Sequence, residues 1–232
     1  MTRKRKQSTT KLEIIQVATQ MFLEKGYTTT SVKAICDELD ISTGNLTFYF
    51  HTKEHLLAIL VEMLCDFQRK TMETAVNEGT SSMLAFCLEL PCMAAMCEGN
   101  DIAKDFYLSA YTHPMTLEII RRNDVHRARE VFAEFCPDWT EERFVEAEIL
   151  ASGIEYATLM TTPTTATIDT RVAGAVDTIL KIYQVPEEIR KAKVSKILSM
   201  DYHTIGKNIL REFMAYIHQV NERSFEIGGS ND

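Results

Sequence analysis

The 232 residues are 45% hydrophobic and 25% charged, a balance that suits a folded chain with a sizeable core and not a disordered tail. Taken whole, the formal charge of −8 argues against a polyanionic partner, because binding nucleic acid needs a positive surface. No apolar run approaches the roughly 18 residues of a membrane span, and no apolar signal core follows the basic N-terminus, which points away from a secreted or membrane protein and towards the cytoplasm.

The charge is unevenly spread. Residues 1–55 carry eight basic and six acidic groups, whereas residues 56–232 carry 17 basic and 27 acidic ones. Arg3, Lys4, Arg5, Lys6 and Lys11 stand in the first eleven residues with no acidic neighbour among them. A basic arm, a near-neutral segment and an acidic body imply two parts with different partners.

Helical periodicity runs through nearly the whole chain. Ile14, Val17, Ala18, Met21 and Phe22 follow an i, i+3, i+4 pattern, and Thr10 with Glu13 forms a capping box, predicting a first helix over about 10–25 that Gly26 stops. Thr30 or Ser31 caps a short second helix with Val32, Ile35, Cys36 and Leu39 on its apolar face, and Asp40 and Ile41 break it. Ser42 caps a third helix, with Ile41 stapled onto Leu46, and Thr52 caps a fourth that reaches about residue 77. The pattern then predicts an apolar helix over about 83–96 interrupted by Pro91, and helices over about 101–112 and 115–135 separated at Pro114. A helix over about 140–160 capped by Asp138 follows, then a Thr-rich linker around Pro163 and helices over about 168–184, 187–199 and 201–222. The fold class is therefore all-α, with a three-helix helix-turn-helix domain over 1–52 and a larger helical domain over 53–232.

Six cysteines include no C-x-x-C pair, and without an export signal they read as reduced, apolar core thiols. Cys87, Cys92 and Cys97 rotate about 140° from one to the next around a helix, so they cannot share a metal face. No G-x-G-x-x-G, G-x-S-x-G, H-E-x-x-H or Walker motif occurs, so neither an enzyme, a metal site nor a cofactor is expected.

Chemistry concentrates at the second and third helices, whose spacing is that of a helix-turn-helix. With Ile35, Leu39, Ile41, Leu46 and Phe50 inward, Thr43, Gly44, Asn45, Thr47 and Phe48 lie on the open side. Asn45 suits an adenine edge, and Thr43 and Thr47 suit base edges or a thymine methyl, while Gly44 lets the helix approach closely. The first-turn N–H groups and the hydroxyls of Ser42, Thr30 and Ser31 suit phosphate oxygens, as do Lys53 and the Tyr49 hydroxyl. Arg3, Lys4, Arg5 and Lys6 would add backbone or minor-groove contacts.

These residues carry a resemblance. Gly26-Tyr27-Thr28-Thr29-Thr30-Ser31-Val32, Ile35, Ile41-Ser42-Thr43-Gly44-Asn45-Leu46-Thr47-Phe48-Tyr49-Phe50 and Lys53-Glu54-His55-Leu56 are similar, with matching spacing over about residues 10–60, to the N-terminal signature of the TetR family of bacterial transcriptional regulators. The resemblance implies a homodimer whose recognition helices enter successive major grooves of a palindromic, double-stranded operator. It also implies a C-terminal domain that dimerises, binds a small effector and releases the DNA, acting as a repressor at the nucleoid. Ser42 to Tyr49 would be the recognition helix, with Thr30, Ser31 and Lys53 on phosphate. Asp40 departs from the usual glycine and Thr47 from the usual tyrosine. A helical sensory or partner-binding dimer without specific DNA recognition is the competing reading.

For the body, Ala147, Leu150, Ala151, Ile154 and Ala157 form a stripe suited to a dimer seam, while Ile205, Ile209, Phe213, Ile217 and Val220 of the last helix offer cover for it. Phe86, Met93, Met96, Phe106, Tyr107, Tyr111, Tyr156 and Met160 supply the adaptable and aromatic surface of a pocket for an apolar or aromatic effector. The fourth helix joins head to body and is the expected lever.

Overall fold

Helical propensity and capping partition the chain into eleven α-helices and no strand among the described residues, which in the computed structural model are 2–219, without the side chains of 2–10 and 76. They are α1 (Thr2–Lys25), α2 (Val32–Glu38), α3 (Thr43–Tyr49), α4 (Lys53–Asn77), α5 (Ser82–Cys97), α6 (Asp101–Thr112), α7 (Pro114–Phe132), α8 (Glu141–Leu159), α9 (Ile168–Ile182), α10 (Glu187–Leu198) and α11 (Tyr202–Gln219). None is long and apolar enough to cross a membrane.

Several boundaries differ from those the sequence pattern suggests. α1 begins at Thr2, so Thr10 lies inside it and not at its start. Pro91 sits within α5 without ending it. Its missing N–H removes one helix hydrogen bond, but Pro91 and its neighbours from Leu90 to Cys97 are buried on all sides, and packing outweighs the local cost. Pro114 opens α7 at the first helical position, where a missing N–H costs nothing. Thr140, not Asp138, caps α8, its hydroxyl accepting from the Arg143 amide.

One apolar core runs from head to body, from Ile14, Phe22, Ile35 and Leu46 through Leu57 and Leu60 of α4 to Phe106, Phe132, Tyr183 and Phe213. α4 bridges the parts, packing on α1 at one end and on α5 and α7 further along. α11 lies along α5, and a Cβ added at Gly206 would come within 2.8 Å of the Cys92 carbonyl, so the two backbones touch there. That contact corrects the expectation that α11 covers a dimer seam: Phe213 and Ile217 are buried in the body, and Val220 lies outside the described residues.

Candidate functional site

The head is built from local hydrogen bonds. Ser31 Oγ accepts from the Ala34 amide at 3.1 Å and Ser42 Oγ from the Asn45 amide at 3.2 Å, starting α2 and α3. Between them Asp40 has φ of 52°, a left-handed turn residue where the resembling pattern has glycine, and aspartate is among the side chains that tolerate that geometry. Leu46 and Phe50 anchor α3 in the core beside Ile35 and Cys36.

The other face of α3 is open. Ser42, Thr43, Gly44, Asn45 and Thr47 are exposed, Phe48 is 66% exposed, and Tyr49 is half-buried beneath it, the two rings edge to face. The serine hydroxyls that cap α2 and α3 serve there as acceptors and keep their own O–H free for an external acceptor. Thr47 spends its O–H on the Thr43 carbonyl at 3.0 Å, leaving its methyl and lone pairs outward. Around Gly44, an added Cβ would meet nothing closer than Ser42 Oγ at 3.9 Å. The side chains of Arg3, Lys4, Arg5 and Lys6 lie outside the described residues.

Two residues assigned to phosphate are turned inward. Thr30 is 3% exposed, and its hydroxyl donates to the Gly26 carbonyl at 2.7 Å. Lys53 donates to the carbonyls of Tyr27 at 2.9 Å and Thr30 at 3.1 Å, and its ammonium stands 4.0 Å from the centre of the Tyr27 ring. Burial lowers the Lys53 pKa against the opposing pull of Glu54 and Asp105. Carbonyls orphaned by the turn after α1 attract both groups, so Thr30 closes the turn on itself, Lys53 ties α4 to it, and neither reaches out.

The same turn meets the body. The Thr28 amide donates to Asp105 Oδ2 of α6 at 2.8 Å, and the Thr28 hydroxyl donates to Oδ1. Gly26, at φ of 93°, passes so close that an added Cβ would lie 3.0 Å from Asp105 Oδ2. Nothing in the sequence pattern singles out Asp105, because its partner is 77 positions away.

Within the body, α4, α5, α6, α10 and α11 enclose a chamber of about 360 Å³. Of the residues proposed from sequence to line a pocket, Met93, Met96 and Tyr107 do so. Phe86 instead packs edge to face on Phe132, Phe106 is buried beside Tyr107, Tyr156 is half-buried and does not border the chamber, and Met160 is 46% exposed on the surface. Tyr111 lines a second, smaller cavity of about 30 Å³ and donates to Glu155 at 2.8 Å. Helical spacing marks such side chains as interior, whereas a cavity exists only where several helices fail to close on one another. The chamber walls missed from sequence include Phe67 and Thr71 of α4 and Ile205 and Ile209 of α11, the last two read there as cover for a dimer seam.

The stripe offered for dimerisation also divides. Ala147 and Ala151 are buried in the body and beyond a partner's reach, while Leu150 and Ala157 are exposed and Ile154 is half-buried. The outer face of α8 carries Val145, Ile149, Leu150, Gly153, Ala157 and, just past its end, Met160, an apolar face about 150° round from the alanines.

The cysteines are all free and buried, and burial raises every thiol, Cys87, Cys92 and Cys97 each to about 12, so they are chemically quiet. Among the described residues no cluster of side chains suits a metal ion.

A buried charge cluster lies behind the chamber. Arg127, nearly fully buried, pairs with Glu89 and with Asp124 at 3.2 Å, while Glu148 Oε1 has no partner at all. Burial pushes Asp124 up to about 6 and Glu155 up to about 8, with the neighbouring carboxylates adding to the effect, and raises Glu148 further. Raised carboxylates bind protons more tightly in the folded state, so their stability contribution is complete below the ordinary carboxylate range and is lost as pH rises through the folded values. Thermal denaturation is therefore expected to shift to lower temperature between pH 5 and about pH 8.5, and Glu155→Gln is expected to flatten that slope. A midpoint that rises steadily across this window would contradict the assignment.

Residues 14–60 match the family model described as bacterial regulatory proteins, tetR family. The chain is 35% identical over 82 residues to the "Probable HTH-type transcriptional regulator YttP" of Bacillus subtilis (strain 168), covering 35% of this chain and 40% of that one. It is 28% identical over 110 residues to the HTH-type transcriptional regulator HbdR of Aromatoleum sp. (strain CIB), covering 47% of each. The chain thus spans less than half the length of the curated relatives it matches. Among solved structures, it aligns at 19% identity with a gamma-butyrolactone receptor (ArpA-like protein), over 89% of this chain and 99% of that one, with a TM-score of 0.43. Alignment with the TetR family protein CprB of S. coelicolor A3(2), also at 19% identity, covers 83% and 98% with a TM-score of 0.44. Residues 14–60, by sequence and by the capped helix-turn-helix they form, are similar to the N-terminal segment of the TetR family of bacterial regulatory proteins.

Proposed function

We propose that the chain is a one-component transcriptional repressor that binds a palindromic operator as a homodimer and releases it when a small apolar molecule occupies the body chamber. Residues 1–52 form the DNA-binding head and residues 53–232 the sensing and dimerising body. The observation that carries this reading is α3 itself: a helix anchored by Leu46 whose exposed face is short, polar and free of bulky charge. Asn45, Thr43 and Thr47 are the base-reading residues, and Ser31, Ser42 and Tyr49 meet phosphate. The body, with its excess of ten acidic groups, is left facing away from the duplex.

Selection from a random duplex pool tests this directly. The purified protein is expected to enrich a two-fold symmetric sequence, with affinity falling steeply as salt rises. Asn45→Ala is expected to weaken that sequence by about 1–3 kcal/mol while leaving non-specific binding unchanged. Enrichment of no sequence would favour the helical sensory dimer without operator recognition.

Signal transfer from body to head runs through α6 in this reading. Tyr107 faces the chamber, and Asp105, two positions earlier and about 200° round the helix, holds the turn that leads into α2. A ligand that moves α6 thereby alters the seating of the head, which is the unequal affinity for two states that allosteric release requires. Asp105→Ala is expected to cost the head about 1–2 kcal/mol, since two hydrogen bonds to a carboxylate are lost, and to speed amide exchange across residues 27–50 about tenfold. Unchanged exchange there would remove α6 from the route.

A further inference from the structure

Two cavities of the body, the chamber and the smaller one beside Tyr111, are neighbours of opposite character. Leu64, Gln68, Glu89, Met93 and Tyr107 border both, so the apolar chamber and the small cavity meet across them. From that junction the chamber follows α4 to Ala75 and the connection at Thr80, where Lys193 of α10 donates to Ser81 at 2.9 Å. Carbon and sulfur surfaces of Phe67, Leu84, Leu88, Met93, Ile205 and Ile209 dominate the chamber. The small cavity instead ends on Asp124 and Glu155.

Charge there is out of balance. Four carboxylates, Glu89, Asp124, Glu148 and Glu155, share the region with one fully buried cation, Arg127, which serves Glu89 and Asp124. Arg121, half-buried, is turned to the Ser152 hydroxyl at 3.4 Å. Glu155 is held only by the Tyr111 hydroxyl, and Glu148, 2% exposed, leaves Oε1 without any partner while Asp124 and Glu155 act on it more strongly than any other charge. The Tyr107 hydroxyl, on the border between cavities, has only the Met96 sulfur at 4.0 Å. An unpaired buried carboxylate is costly, and neither Arg127, Arg121 nor the chamber-lining Lys196 pairs with Glu148 or Glu155, whose burial favours their protonated forms until a cation displaces the proton.

We propose that the chamber and the adjoining carboxylates form one amphipathic site for a lipophilic organic cation, its apolar body among Phe67, Leu84, Met93 and Ile205 and its ammonium or amidinium group at Glu155 and Asp124. This deepens the effector reading above and rests on it. The cation supplies what the protein omits, and the oxygens of the two ring hydroxyls, Tyr107 and Tyr111, are placed to accept from its N–H groups. A neutral ligand of the same shape gains the apolar contacts alone, and an anionic one meets repulsion at the inner end.

Calorimetric titration of the full chain with decylammonium, decanol and decanoate, all monomeric in solution, tests the proposal, the compact primary ammonium being the head group that suits the small inner cavity. The ammonium is expected to bind about tenfold or more tightly than decanol, and decanoate least tightly. Gln68→Lys, which places a cation at the junction, and Glu155→Gln are each expected to abolish that advantage while decanol binding persists, which also shows that the variants are folded. Decanol bound as tightly as the ammonium overturns the cationic assignment and leaves the chamber as an apolar effector site. Binding of none of the three overturns both readings.

Discussion

Leu150→Glu is expected to leave the chain folded and, if it pairs through α8 in the homodimer proposed above, to yield a monomer whose operator affinity falls by about a hundredfold or more. Leu150 is 51% exposed on α8, and its neighbours Val145 and Ile149 are 44% and 46% exposed. A row of large apolar side chains on one helix, flanked by Gly153 and Ala157, is a surface that a second copy would cover. In a two-fold arrangement each Leu150 meets the same seam on its partner, so the substitution introduces two buried carboxylates at once. Loss of the second half-site then removes the effective-concentration gain of bivalent binding, the source of the expected factor. Sedimentation equilibrium and fluorescence anisotropy on a labelled operator measure the two effects. A variant that stays dimeric would move the interface to another face.

Arg127→Met is expected to destabilise the body by about 3–5 kcal/mol, the usual cost of removing one partner from a buried ion pair. The guanidinium joins Glu89 of α5 to Asp124 of its own helix and stands 5.4 Å from the Phe86 ring centre, so its loss strands two carboxylates beside Glu148 and Glu155. Methionine keeps much of the volume, which isolates the charge effect from cavity formation. The deficit is expected to shrink at pH 5, where protonation relieves the stranded carboxylates, and urea denaturation at pH 5 and 8 reads both values. A loss equal at the two pH values would assign Arg127 a packing role.

The cluster and the chamber also explain why the body is harder to read than the head. Ser31 and Ser42 cap helices that begin one residue later, and Ile41, Leu46 and Phe50 settle which side of α3 is open. All these interactions join residues within a few positions of one another, so the order of side chains specifies them. Lys53 shows where that logic stops: it has the chemistry of a phosphate ligand, but the Tyr27 and Thr30 carbonyls that hold it lie 26 and 23 positions earlier, in a turn whose placement depends on α4 and α6. Ala147 and Leu150 make the same point on α8. Periodicity puts them on adjoining strips of one helix, and packing against α7 and α9 decides which strip is inside.

The sequence by itself determined the all-helical class, the capped helix-turn-helix, the polar face of α3 and the separation of a basic N-terminus from an acidic body. These follow from helix period, capping chemistry and charge counts, which are properties of near neighbours or of sums. Only the tertiary structure decided that α11 walls a chamber beside α5, that Asp105 clasps the head, that the outward strip of α8 is the apolar one and that four carboxylates share one buried arginine. Each of those depends on contacts between residues far apart along the chain, and a helix's own period says which residues share a face but not what that face will meet.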